Sequence, residues 1–176
     1  MPAAYYDIQA DEGSSFRLKL KFLDSTKKLV NLINPPASVI EGFEDSFRKD
    51  TDGNYVIKAY ARMQVRDSVD GDILPVDLND STGGSDTNLW GQSNLNYTNI
   101  QIKLKSGIVD DGTTDGTPDD SNIVITIDAN VMSNIDYGNF LYDLELVFSQ
   151  DIITNPKAVT FRVMQGRFIV TPNITR

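Results

Sequence analysis

The chain has 176 residues and a formal net charge of −9, with no cysteine, no histidine, 40% hydrophobic and 23% charged residues. Lacking those two residue types, it has no disulfide, no thiolate nucleophile, no Cys-based metal site and no side chain that ordinarily titrates near neutral pH to act as a general base. A polyanion repels phosphate backbones and anionic lipid, so nucleic acid and membrane surfaces are not expected as partners, and no apolar run is long enough to span a bilayer.

Tyr5, Tyr6 and Ile8 predict an initial edge strand that turns at Asp11-Glu12-Gly13. Phe16, Leu18, Leu20 and Phe22 then alternate with Arg17, Lys19 and Lys21, the period of two that a half-buried strand requires. On a helix the same apolar residues would scatter around the circumference. Asp24-Ser25-Thr26-Lys27 reads as a turn, and Val30 and Leu32 as a short return strand. Asn34-Pro35-Pro36 stops regular structure because neither proline has an N–H to give to a ladder. Ala37 to Asn54 mixes Ile40, Phe43 and Phe47 with charges, which predicts a short helical turn around Val39 to Phe47 and a tight turn at Asp50-Thr51-Asp52-Gly53.

From Tyr55 to Arg66 the chain reads as a long strand. Ile57, Ala59, Ala61, Met63 and Val65 share one face, and Lys58, Tyr60, Arg62, Gln64 and Arg66 the other. The polar stretch from Asp67 to Asn96, which holds Trp90, is longer than idle loops usually are and reads as an arm that meets a partner. Ile100, Ile102 and Leu104 resume alternation, an acidic loop follows from Ser106 to Ser121, and Ile123, Ile125 and Ile127 form the next strand. Ala129 to Asp136 reads as a short helical crossover with Asp128 at its N-cap. Tyr142, Leu144, Leu146 and Phe148 point inward on a strand whose Asp143 and Glu145 point outward. After a connection at Asp151 to Lys157, a last stretch carries Val159, Phe161 and Val163, a bulge expected at Gln165-Gly166, and then Phe168 and Val170.

Many short alternating strands with little helix predict an all-β fold. The expected form is an immunoglobulin-like antiparallel β-sandwich with at most one or two short helices. It is expected to be a single domain over residues 1–176, with insertions at about 34–54 and 67–96.

No residue set predicts catalysis: there is no phosphate-binding glycine loop and no Gly-x-Ser-x-Gly elbow. Asp110, Asp111, Asp115, Asp119 and Asp120 offer enough oxygens for Ca²⁺, but without the spacing of an EF-hand; the expected state is a solvated loop and no cofactor. Asp143 and Glu145 lie two apart on one strand and are expected to project into water with ordinary pKa values, which argues against glycosidase chemistry. Trp90, with Tyr55, Tyr60 and Tyr97, reads either as an interface anchor or as a sugar platform. Phe43, Phe47, Leu89 and Trp90, in the inserted segments, are the expected contact residues. Lys19 and Lys21 belong to a basic stripe that could dock an acidic neighbour, such as another copy's 110–120 loop.

The order of several segments resembles a family of small tailed-phage virion proteins, similar to the N-terminal domain of the baseplate upper proteins of lactococcal-type phages. The segments are Tyr6-Asp7-Ile8-Gln9-Ala10-Asp11-Glu12-Gly13, the amphipathic strand with Val30-Asn31-Leu32, Ala61-Arg62-Met63-Gln64-Val65-Arg66, Tyr142-Asp143-Leu144-Glu145-Leu146, and Gln165-Gly166 followed by Thr171-Pro172-Asn173-Ile174-Thr175. They cover the two ends and the middle strand, and not 34–54 or most of 67–96. The resemblance implies a virion structural protein with an Ig-like sandwich and supplies no catalytic residues. Its expected partners are other virion proteins and copies of itself, in an adaptor or peripheral position of the tail, baseplate, neck or fibre attachment. A receptor-facing carbohydrate-binding module and a capsid decoration protein are the alternatives. Met1-Pro2-Ala3-Ala4-Tyr5 does not read as a secretion signal, so the expected course is synthesis in the host bacterial cytoplasm and residence in the virion.

Overall fold

The computed structural model describes residues 3–67, 100–104, 121–151 and 155–173. Among the described residues eight strands and one α-helical turn follow in chain order: β1 (Ala4–Tyr5), β2 (Ile8–Asp11), β3 (Phe16–Leu20), β4 (Lys58–Arg66), β5 (Ile100–Leu104), β6 (Ile123–Ile127), α1 (Ala129–Met132), β7 (Gly138–Asp151) and β8 (Asn155–Thr171). They form two sheets. In one, β8 lies between β7 and the pair β1 and β2, with β4 beyond β7; in the other the order is β3-β6-β5. The protein is therefore an all-β sandwich.

The distribution of β3 to β8 is that of an immunoglobulin-like domain: the first, fourth and third of these six strands share one sheet, and the second, fifth and sixth the other. One feature departs from the antiparallel expectation. β1 and β2 run parallel to β8, with Ala4 opposite Met164 and Ile8 opposite Phe168. The N-terminal strand thus adds to the edge of the last strand, and the chain reaches the second sheet only at Glu12 to Ser15, where Gly13 takes φ 69°.

Alternation puts the core where the sequence pattern predicts. Ala61, Met63 and Val65 of β4, Leu144, Leu146 and Phe148 of β7, and Ile123, Ile125 and Ile127 of β6 are all buried against one another. Each fully buried Leu, Ile or Phe contributes about 1.5–3 kcal/mol. An edge-on contact between Phe16 of β3 and Phe168 of β8, 5.6 Å between centroids, joins the two layers, and Phe148 meets Phe161 at 5.9 Å across β7 and β8.

Between β3 and β4 the helical expectation resolves into two short 3₁₀ turns, Ala37–Ile40 and Glu44–Ser46. Val30 and Leu32 are buried without forming a strand; only a bridge between Leu23 and Leu29 remains. The side chain of buried Asn122 substitutes for the missing ladder. Its Oδ1 accepts from Phe22 N at 2.6 Å, and its Nδ2 donates to Phe22 O at 2.8 Å and Val30 O at 2.9 Å. Asp50 closes the next turn as expected: its carboxylate accepts from the N–H groups of Asp52 and Asn54, both at 2.9 Å, while Gly53 takes φ 84°. Asp128 stands at the N-cap of α1, but its side chain makes no capping bond; its carbonyl receives Val131 N and Met132 N.

The expected bulge lies elsewhere. Gln165 and Gly166 pair in register with Asp143 and Tyr142, and the register shifts instead between Leu144 opposite Met164 and Glu145 opposite Arg162. Val163 is the extra residue, and both Val163 and Met164 pack toward the core. Glycine is required at 166 for a different reason. A Cβ there would lie 2.1 Å from Tyr6 O, where the N-terminal segment crosses β8. The Tyr142 hydroxyl, on the residue opposite Gly166, donates to the same carbonyl at 2.7 Å.

Candidate functional site

The outer face of the β1/β2-β8-β7-β4 sheet carries polar residues in cross-strand rows. One row is Arg162, Glu145, Arg62; the next is Tyr5, Gln165, Asp143, Gln64; a third is Arg167, Leu141, Arg66. The Val163 bulge builds this arrangement. In an unbroken strand residues 162 and 165 would face opposite ways, but the inserted residue restores Gln165 to the face that Arg162 occupies.

Ion pairs fix the rows. Arg62 binds Glu145 directly, while Arg162 lies 3.4 Å from Asp143 and 3.8 Å from Glu145. The Glu145 side chain is only 12% exposed. Burial, together with the like charge of Glu145, pushes Asp143 above the ordinary carboxylate value against the pull of Arg162. The two carboxylates do not simply project into water, as the sequence pattern suggests; they share a network with guanidinium groups. Arg66 donates to Gln64 Oε1 at 3.0 Å. These side chains, with Gln165, enclose a groove of about 580 Å³. Hydrogen-bond donors and acceptors stand side by side along its walls.

At the rim, Arg167 Nε donates to Asp7 Oδ2 at 3.0 Å and Arg167 N to Asp7 Oδ1 at 3.0 Å, which holds Asp7 below its ordinary value. Burial raises the phenol of Tyr142.

A second, apolar groove of about 420 Å³ is lined by Phe22, Leu23, Val30, Val39, Phe43 and Phe161, with Asp24 and Glu41 among its other residues. Phe43 is 53% exposed and Leu23 38%. β1 pairs with β8 only at Met164 and Gln165, so among the described residues no strand pairs with that edge of β8 before Met164. The stretch around Phe161, which lines the apolar groove, belongs to this part of the edge.

The contact residues expected from the sequence divide accordingly. Phe43 lies at the apolar groove, exposed. Phe47 is corrected: it is 6% exposed and packs in the core, because the Glu44–Ser46 turn rotates it inward. Lys19 and Lys21 are exposed. Tyr60 is buried, and Tyr55 packs partly on the core with Lys49 Nζ 4.7 Å from its ring centroid, so neither offers an open sugar platform. Leu89, Trp90, Tyr97, Asp110, Asp111, Asp115, Asp119 and Asp120 lie outside the described residues. Among the described residues no group of three or more acidic side chains is placed to hold a metal ion. The polar groove is not legible in the sequence as a site; its one signal is the change of inward parity from Val159, Phe161 and Val163 to Phe168 and Val170, which requires an inserted residue between them.

No family model matches the chain, and no curated protein gives a significant match. Among solved structures it is similar to one described as "Structure-based site-directed photo-crosslinking analyses of multimeric cell-adhesive interactions of VGSC beta subunits", with 13% identity, 95% of this chain and 92% of that chain covered, and a TM-score of 0.31.

Proposed function

We propose that this chain is a non-enzymatic structural module that works by being built into a larger assembly, namely a bacteriophage virion, as an adaptor or peripheral component of the tail, baseplate, neck or fibre attachment. The observation that carries the reading is the β8 edge before Met164, which no strand among the described residues covers, beside the apolar groove. An exposed strand edge offers main-chain donors and acceptors to a neighbour's extended segment, and the adjacent groove takes that segment's apolar side chains. Phe43 and Leu23, large and exposed at that groove, are the natural anchors. The phage context rests on the collinear segments from Tyr6 to Gly13, Ala61 to Arg66 and Tyr142 to Leu146. The partners are other virion proteins and copies of this chain.

A cryo-EM map of the assembled particle tests the proposal. Density for the sandwich is expected, with the β8 edge and Phe43 against a neighbouring chain. Phe43→Glu is expected to block incorporation while leaving the melting temperature of the isolated protein unchanged. A particle complete without this chain, or full incorporation of Phe43→Glu, overturns the reading.

A further inference from the structure

The polar groove and the apolar groove differ in chemistry, and the polar one takes a different kind of occupant. We infer that the outer face of the β1/β2-β8-β7-β4 sheet is a carbohydrate-binding groove, which takes a neutral glycan between the guanidinium and carboxylate groups of Arg162, Asp143, Glu145 and Arg62 and the amide of Gln165. This inference does not rest on the virion reading.

Charge selects the ligand class. The groove walls carry the guanidinium groups of Arg62, Arg66 and Arg162 and the carboxylates of Asp143 and Glu145. An anion would face two carboxylates and a cation three guanidinium groups. A neutral polyol avoids both conflicts, because every hydroxyl donates and accepts, and vicinal hydroxyls span a carboxylate or a guanidinium in bidentate fashion. The walls are already set. The ion pairs that hold Arg62 and Arg162 to Glu145 and Asp143 fix the donors and acceptors before any ligand arrives, which lowers the ordering cost of binding.

Two further features point the same way. The Val163 bulge brings Gln165 onto this face beside Asp143, and bulges are enriched where a side chain is re-aimed toward a site. The Gln165 side chain has no hydrogen-bond partner among the described residues, so its amide is left to meet a ligand. Next to Gln165 in the same row, outside the residues that line the groove, stands Tyr5, 67% exposed, an aromatic face for the C–H side of a sugar ring that extends past Gln165. The volume of about 580 Å³ lies within the range of ligand sites.

The test is an array of neutral, sialylated and sulfated glycans probed with the whole chain, followed by calorimetric titration of the best neutral oligosaccharide. Binding to neutral glycans is expected. Gln165→Ala and Tyr5→Ala are each expected to weaken it up to about tenfold, the upper end of the scale of one lost neutral hydrogen bond or one lost aromatic contact. Their melting temperatures are expected to match the parent's, and Lys19→Ala, on the other sheet, is expected to bind as the parent does. Absence of any neutral glycan hit overturns the inference. So does binding confined to acidic glycans or to extended peptides added as competitors, or binding that both variants retain.

Discussion

Replacing Asn122 tests whether one buried amide holds the wall of the apolar groove. Asn122 is 0% exposed, and three hydrogen bonds tie it to Phe22 and Val30, both residues of that wall. Asn122→Ala removes all three. Phe22 O keeps the bond from Val30 N at 3.1 Å, so the groups left without a side-chain partner are Phe22 N and Val30 O. Each lost bond contributes about 1 kcal/mol net, and an orphaned buried group costs about 1–3 kcal/mol, so the expected loss is about 2–4 kcal/mol. For a chain of this size that lowers Tm by roughly 4–16 °C. Urea unfolding is expected to show a lower midpoint at constant slope, because the loss is of contacts and not of compactness. Asn122→Asp discriminates further. It keeps the acceptor for Phe22 N but turns a carboxylate oxygen toward the carbonyls of Phe22 and Val30, so it is expected to be worse than alanine despite its nearly identical shape. Hydrogen exchange at the Phe22 amide reads the same bond locally. A loss below about 1 kcal/mol, or an aspartate variant more stable than the alanine variant, would refute the reasoning.

Phe47→Ala is expected to lose about 3–5 kcal/mol in urea unfolding, and Phe43→Ala to stay within about 0.5 kcal/mol of the parent, since the first side chain is buried and the second exposed. Gly166→Ala drives a methyl against Tyr6 O, so the N-terminal segment must lift from β8; a loss of about 1–3 kcal/mol is expected, with faster exchange of the Tyr6 amide that now donates to Gln165 O at 2.9 Å. Asp7 and Asp143 give opposite pH signatures in denaturation series. Asp7, lowered by Arg167, contributes stability above its unfolded value that disappears as pH falls through its depressed folded value, and Asp7→Asn is expected to flatten that acid limb. Asp143 is raised, so the folded state holds its proton longer and stability falls as pH rises from the ordinary carboxylate value through the raised one; Asp143→Asn is expected to remove that fall.

Strands were legible from the sequence because alternation reports burial directly: a residue that faces the core must be apolar, and β4 from Ala59 to Val65, β6 from Ile123 to Ile127 and β7 from Phe140 to Phe148 obey this. Partner choice was less legible. Tyr5 and Ile8 read as an edge strand, but nothing in their pattern distinguishes pairing with β3 from the parallel pairing with β8 that the structure adopts. Phe43 and Phe47 are the same residue type four positions apart. Which one is buried depends on the 3₁₀ turn between them, and that turn has no strong signature in Glu44-Asp45-Ser46.

The outer face was the least legible region, for a physical reason. Polar residues at alternate positions are what any solvated sheet face requires, so Arg62, Gln64, Asp143 and Glu145 carry no sign of the groove while each strand is read alone. What makes the groove is cross-strand register, and register on β8 changes at Val163. Moving the inserted residue from Gln165-Gly166 to Val163 leaves the buried face of Phe168 and Val170 unchanged. It does set Gln165 opposite Asp143, and Gly166 opposite Tyr142 where Tyr6 must pass. With the bulge at 165 Met164, 5% exposed, would turn from the core to the outer face, so the core, the polar groove and the N-terminal crossing all require it at 163.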